Sequence, residues 1–413
     1  MKRILIIVNV FHPDRGGGGA VFSDLCFGLA EKGHEVTVFT TNPYYPEWTN
    51  KSGANPWKLT REEINGVEVF RHGIYIPKDP SKLLHRVIYE ASFSLSLMRS
   101  LFRGGRFDMV MAYCPLLGGL PFALLRKWFK REKLWLNVQD IPSDAAASTG
   151  FGGGSLFTAL ADRIQKFLFR SADVASTISP VMQERVAEIC GDQPPVYLLP
   201  NWLNQSIADH INAIEEPERA PDRLPRILYA GNIGKKQDTR RFCSALAESD
   251  SKFRFRIFGD GGEAKEVKGW IDESGDERFS HGDFMSEDRF IEELSACDFF
   301  VITEKSGIGG SFIPCKLIPC ISLGTPVIAV CDPDSPLGTE VSRYDLGIIL
   351  PWREIDSLGE RMPELLKRRE EFSANCTTRA SFYSRERNID RVIDISGSLC
   401  DTEFSEKPEL LWE

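Results

Sequence analysis

Long apolar runs are missing from this chain of 413 residues: no stretch reaches the roughly 18 apolar residues that a membrane-crossing helix requires. Histidine is scarce, at six, and none sits in an evident catalytic or metal-binding motif. The ten cysteines include no Cys-x-x-Cys pair, which argues against a zinc site or a redox couple. They read as reduced, buried small hydrophobes of a cytosolic protein. An excess of positive charge is absent too. A net charge of −9 excludes a dedicated nucleic-acid binder, whose footprint would be basic. No low-complexity tract and no short-period repeat occurs.

What remains is an ordinary globular composition, 42% hydrophobic and 26% charged. The length fits two domains of about 200 residues each. The opening Met1-Lys-Arg and apolar run resemble a secretory leader only superficially. Asn9, His12, Asp14 and Arg15 interrupt the run at once, no small-residue cleavage site follows, and a strand is the expectation.

Two segments carry the organisation. Arg3-Ile-Leu-Ile-Ile-Val-Asn-Val-Phe11 leads into Gly16–Gly19, and Arg226-Ile-Leu-Tyr-Ala-Gly231 leads into Asn232-Ile-Gly-Lys235-Lys236. A short apolar run ending in a glycine turn before a helix opens a doubly wound α/β unit. Strand and helix patterns alternate after each opening, so the expectation is an α/β chain of two Rossmann-like doubly wound domains facing a cleft. Residues 1–205 form the expected first domain. A polar linker spans 206–225, with Glu215-Glu-Pro-Glu near its middle, and the second domain spans 226–380. A charged helical segment, 381–413, closes the chain and is expected to pack back toward the first domain. Two domains around a cleft suit an enzyme holding two substrates.

Glycine loops mark candidate anion sites. Gly307-Ile-Gly309-Gly310-Ser311 lies between a strand and a helix expected from Phe312. Glycine lets a phosphate approach the backbone, and a helix N-terminus favours negative charge; a plain strand-to-helix turn is the alternative. Lys316 lies one turn into that helix, where it either reaches an anion or is a solvated surface lysine. Phe258-Gly-Asp-Gly261-Gly262 either leaves room for a base or ribose or is a tight turn. Gly17 and Gly18 belong to a loop that either passes close to a bound substrate or forms a mobile lid. A nicotinamide site fits less well, because no acidic residue stands about 20 residues beyond a clean Gly-x-Gly-x-x-Gly. Asp140, in Asn137-Val-Gln139-Asp140, stands at a strand end as a candidate to orient or deprotonate a hydroxyl, or as a turn cap. Asp332-Pro-Asp334 reads as a turn, and no metal or other cofactor is expected.

These motifs, with Ile178-Ser-Pro-Val-Met, Leu199-Pro-Asn201 and Pro314-Cys-Lys-Leu-Ile-Pro-Cys-Ile-Ser-Leu-Gly-Thr-Pro-Val-Ile-Ala329, resemble retaining glycosyltransferases of family 4, with the GT-B fold. The likeness is to bacterial enzymes of O-antigen, capsule and exopolysaccharide assembly, including N-acetyl-fucosaminyltransferase-like proteins, and it covers nearly the whole chain. It implies transfer of a sugar, with retention, from a nucleoside diphosphate, a UDP-sugar in the first instance, to a lipid-linked glycan. It also implies that Lys235 and Lys236 hold the donor diphosphate, although Asn232 stands where the family often has Arg. Gln139 replaces a frequent His. Anchored on Gly324-Thr-Pro326, the family's two glutamates fall on Ser311 and Pro319, and Glu304 is near but not at either position. A non-catalytic GT-B protein that binds a nucleotide sugar or a partner transferase, or a nucleotide-sugar epimerase, are the competing readings.

Two basic stretches, Lys82–Arg86 leading into Val87–Phe102 and Leu124–Trp135, interleave cations with aromatics. They read either as helices lying on an anionic membrane surface or as core-facing helices with a solvated basic face. The first reading implies a peripheral protein on the inner face of the cytoplasmic membrane.

Overall fold

A computed structural model describes residues 1–14, 18–53, 55, 57–79, 82–141, 155–214, 223–307 and 313–400. The chain divides into two compact units: Met1–Asn201 with the segment from Glu386, and Trp202–Arg385.

The first unit is built on eight strands: β1 (Arg3–Ile7), β2 (Glu35–Thr41), β3 (Thr60–Ile64), β4 (Val67–His72), β5 (Met109–Cys114), β6 (Lys133–Val138), β7 (Val174–Thr177) and β8 (Val196–Leu198). Their order is β3-β4-β2-β1-β5-β6-β7-β8, parallel except for the β3–β4 hairpin. Ile4–Ile7 are fully buried, because helices cover both faces of a parallel sheet. Those helices are α1 (Gly19–Glu31), α2 (Leu83–Met98), α3 (Gly119–Lys130), α4 (Ser155–Arg170) and α5 (Pro180–Cys190). A fully buried ion pair fixes the end of α3. Arg126 donates from Nε to Glu132 (2.7 Å), and its other nitrogens reach the carbonyls of Leu101 (3.0 Å) and Gly105 (2.9 Å). One cation of the second basic stretch is therefore spent inside the core.

The second unit opens with α6 (Gln205–Ala213), inside the expected linker, and then carries β9 (Arg226–Ala230), α7 (Thr239–Glu248), β10 (Arg254–Phe258), α8 (Ala264–Ser274), β11 (Phe279–Gly282) and α9 (Glu287–Ala296). After these come β12 (Phe299–Thr303), α10 (Leu317–Ser322), β13 (Val327–Val330), α11 (Pro336–Arg343), β14 (Gly347–Ile349) and α12 (Leu358–Ala380). The order β11-β10-β9-β12-β13-β14, all parallel, reverses direction beside β9. Such a switch leaves a crevice at the carboxyl ends of β9 and β12. Asp298 braces the opposite end of this sheet. Its carboxylate accepts both terminal nitrogens of Arg223 (2.8 and 2.6 Å) and the amide of Arg226 (2.8 Å).

The last helix, α13 (Arg385–Cys400), belongs with the first unit. Lys2 donates to the carbonyl of Ser396 (2.7 Å), and Lys32 pairs with Asp390 (2.8 Å).

Candidate functional site

At the switch point of the second unit, β9 ends in Gly231 with φ at +127°. A side chain there would stand 2.4 Å from Nζ and Cε of Lys316, so the bare glycine is what lets the lysine lie across the strand end. The Lys316 ammonium sits 4.7 Å from the centre of the Tyr229 ring. Among the described residues it makes no ion pair, and burial pulls its pKa down to about 8. A desolvated cation at a sheet's carboxyl edge carries an electrostatic cost that an opposite charge would relieve, and none is placed against it among the described residues. Lys316 precedes α10, which begins later than expected, at Leu317.

The loops on either side of the crevice are locked together. The Gly231 amide donates to Phe258 O (2.9 Å), the Ile233 amide to Asp260 O (2.9 Å), and the Lys305 amide to Lys236 O (2.8 Å). Tyr229 Oη donates to Asn232 O (2.6 Å). A Cβ on Gly259 would stand 1.8 Å from Gly231 O, and one on Gly261 would meet Ile233 O at 2.4 Å and Asn232 Oδ1 at 2.7 Å. The missing side chain at Gly261 is thus required by the close crossing of the neighbouring loop. Lys235 and Lys236 are exposed and form no ion pair among the described residues. Gly309, Gly310 and Ser311 lie outside the described residues, as does Gly17.

Glu304 follows β12 at the same edge. Its Oε2 is buried without a hydrogen-bond partner among the described residues, and burial, with Asp332 nearby, raises its pKa to about 7. Its backbone is fixed by the Trp352 indole, which donates to Glu304 O (2.7 Å). Asp332 accepts from Ser306 Oγ (2.7 Å) and the Gly307 amide (2.8 Å), and its carbonyl accepts the Ser335 amide (3.0 Å), closing the turn expected there. No group of three or more His, Cys, Asp or Glu is placed to hold a metal among the described residues. Beside the carboxyl ends of β10 and β11, a recess of about 480 Å³ is lined by Phe258, Gly282, Phe284, Met285 and Arg289 among others.

The first unit gathers a separate set at its own carboxyl edge. Gly18, at φ +87°, caps α1 and accepts the Phe22 amide (3.0 Å). Phe22 packs edge-on to Tyr113 at 4.8 Å, and the Tyr113 hydroxyl would lie 3.5 Å from a Cβ on Gly18. Burial, with Asp140 among the nearby charges, raises the Tyr113 pKa. Asp140 Oδ1 accepts the following amide of Ile141 (2.9 Å), a turn-capping contact. Gln139 is held at both ends of its amide: it donates to Asn137 Oδ1 (2.9 Å) and accepts from Asn201 Nδ2 (2.8 Å). The Leu199-Pro-Asn201 motif therefore positions β6.

Sequence reading passed over a polar group on this edge. Asn9 Nδ2 donates to Tyr44 Oη (3.0 Å) and to Tyr89 Oη, the two hydroxyls being 2.5 Å apart. Asp14, buried, accepts the amides of Tyr44 (2.7 Å) and Tyr45 (2.8 Å) and the Lys51 ammonium (3.1 Å). The aromatic content of residues 42–60 was the available signal.

Comparison with known proteins matches residues 16–202 to a glycosyl transferase 4-like domain and residues 210–381 to glycosyl transferases group 1. The chain is 28% identical over 349 residues to "Putative colanic acid biosynthesis glycosyl transferase WcaI" of Escherichia coli (strain K12), covering 82% of this chain and 85% of that protein. Among solved structures it resembles sucrose-phosphate synthase from Thermosynechococcus elongatus, with a TM-score of 0.71 and 16% identity over 97% of this chain and 99% of the other. Anabaena HepE in complex with UDP and glucose gives a TM-score of 0.63 and 14% identity over 96% and 100%. The lipopolysaccharide outer core galactosyltransferase WaaB gives 0.60 and 15% over 96% and 99%. At these identities the structural likeness establishes the GT-B fold alone.

Proposed function

With a glycosyltransferase model matched over each unit, the chain is a group 1 glycosyltransferase, and we propose that it moves a sugar from a UDP-sugar to a lipid-linked saccharide in cell-surface polysaccharide assembly, at the inner face of the cytoplasmic membrane. The observation that carries this reading is Lys316, a largely desolvated ammonium without a carboxylate partner among the described residues, at the switch point. When the sugar–phosphate bond breaks, negative charge collects on the departing diphosphate. A preplaced cation and backbone N–H groups hold the departing diphosphate, with its added negative charge, more tightly than the less charged sugar-bound diphosphate, which lowers the barrier. In this assignment Lys316 and Lys235 take the diphosphate, Lys236, Gly309, Gly310 and Ser311 are assigned to the donor from the sequence, and the Phe258–Phe284 recess takes the nucleoside. Asp140 orients the acceptor hydroxyl from the first unit. The retaining course, in which the leaving phosphate helps the acceptor lose its proton, follows from the family likeness.

Calorimetric titration with UDP and GDP is the first test. Binding of UDP that Lys316→Met weakens supports the reading, and absence of binding by either nucleotide sinks it. A nucleoside-diphosphate release assay over a donor panel, with bacterial lipid extract as acceptor, then identifies the reaction. A non-catalytic GT-B protein is the second reading. It is favoured by Pro319, which stands inside α10 where the family carries a glutamate, and it predicts nucleotide binding without turnover on any donor.

A further inference from the structure

We propose that the outward faces of α2, α3 and α4 form one continuous surface that seats the protein on an anionic lipid bilayer. The proposal rests on the lipid-linked acceptor reading only for its purpose; the surface is argued from its own residues. Helix α2 is apolar on two sides. Tyr89, Phe93 and Leu97 face the core. On the opposite side stand Leu84 (67% exposed), Val87 and Ile88, Ala91 and Leu95 (72%), spaced as a single helical stripe. Phe102 (74%) continues it beyond the helix end. A helix on a solvated surface carries polar residues there, so an apolar outer stripe marks an absent partner.

The stripe does not end with α2. Lys130 lies with its ammonium 5.6 Å from the Phe102 ring, which joins α3 to it, and α3 exposes Trp128 (59%) and Phe129 (65%). Lys127 donates to Ser171 O (2.8 Å) and pairs with Asp173 (3.0 Å), tying α3 to the turn after α4. There Ser171 Oγ donates to the carbonyl of Phe167, which with Ile164 is exposed on α4.

Charge selects the partner. Between residues 82 and 133 the sequence holds ten Lys and Arg against three Asp and Glu, in a chain whose net charge is −9. Two of the three acids are engaged inward, Glu90 accepting the Gly118 amide (2.6 Å) and Glu132 buried on Arg126, while Asp108, exposed, accepts the Arg3 amide (2.8 Å). The cations around the stripe, Lys82, Arg86, Arg99 and Arg103, are exposed; Lys82 also pairs with Asp79 (3.7 Å), and Arg99 donates to the carbonyl of Trp57 (3.0 Å). Two copies placed stripe to stripe would set like charges together. A bilayer of anionic headgroups satisfies both features, taking the apolar side chains at the acyl boundary and the cations among the phosphates.

The test is sedimentation of the whole protein with vesicles of phosphatidylglycerol and phosphatidylcholine, against phosphatidylcholine alone, at low and high salt. The expected result is binding at least about tenfold tighter to the anionic vesicles, lost on raising salt. Leu84→Ser with Leu95→Ser should weaken it about tenfold, and Arg99→Glu with Arg103→Glu should abolish the preference for anionic lipid. UDP titration of each variant must match that of the parent protein, which separates failure of this surface from failure of the donor site. No sedimentation at low salt overturns the proposal. So does binding indifferent to the outward substitutions in folded variants, or a dimer that the Leu84→Ser and Leu95→Ser pair dissolves.

Discussion

Replacing Lys316 with Met should make the protein more stable and less able to bind its nucleotide. Burial takes the Lys316 pKa from 10.5 to about 8. A difference of about 2.5 pH units corresponds to roughly 3 kcal/mol, an upper bound because part of the side chain still meets solvent. The sign follows from linkage. Between pH 8 and 10.5 the unfolded chain holds this proton and the folded one does not, so stability rises with pH in that window. At pH 7 the ammonium is charged in both states, and the whole penalty falls on the folded protein. Methionine keeps most of the packing against Tyr229 and removes the charge, so Lys316→Met should gain up to roughly 3 kcal/mol at pH 7. Its advantage should shrink by about 1 kcal/mol by pH 9, as the parent lysine deprotonates. UDP affinity should fall about tenfold to a hundredfold, the worth of one charge-assisted hydrogen bond. The assay is urea unfolding at both pH values, following the transition that UDP shifts, paired with calorimetry. A variant no more stable than the parent, with unchanged UDP affinity, would refute the assignment of Lys316 as an unpaired anion receptor.

Glu304→Gln reports the opposite case. An acid whose pKa is raised to about 7 favours the fold while protonated and loses that contribution as pH climbs through 7. The glutamine variant should gain on the parent by about 2 kcal/mol between pH 5 and 8, read from melts at each pH. Gly259→Ala should cost on the order of 3 kcal/mol or more and abolish thermal protection by UDP, since its methyl would stand 1.8 Å from Gly231 O. Arg126→Met should destabilise the first unit by about 3–5 kcal/mol by stranding Glu132, and adding Glu132→Gln should recover part of the loss in a denaturation series.

The two parallel sheets were legible because fully buried strands write themselves as unbroken apolar runs, as in Arg3–Ile7 and Arg226–Ala230. The strands that escaped were those without such a run. Thr60–Ile64 is an exposed antiparallel edge, betrayed only by the Asn65-Gly66 turn, and Phe279–Gly282 is four residues long. Helix α6 hid inside a polar stretch that read as linker because it buries no side chain fully. At the site, glycine positions were readable but their reason was not. Whether Gly261 makes room for a ligand or for Ile233 depends on a neighbour distant in sequence. Lys316 was visible as a lysine near a glycine loop. That it is desolvated and unpaired depends on Gly231, some 85 positions earlier, and no local pattern encodes that meeting.

Because α13 returns to the unit that the chain's first residues begin, the second unit is in effect an insertion within the first. A gene fragment covering residues 202–385 is one uninterrupted piece, whereas a fragment stopping at residue 201 would deprive Lys2 of Ser396 and Lys32 of Asp390. Shortening the chain from its far end should accordingly injure the first unit before the second.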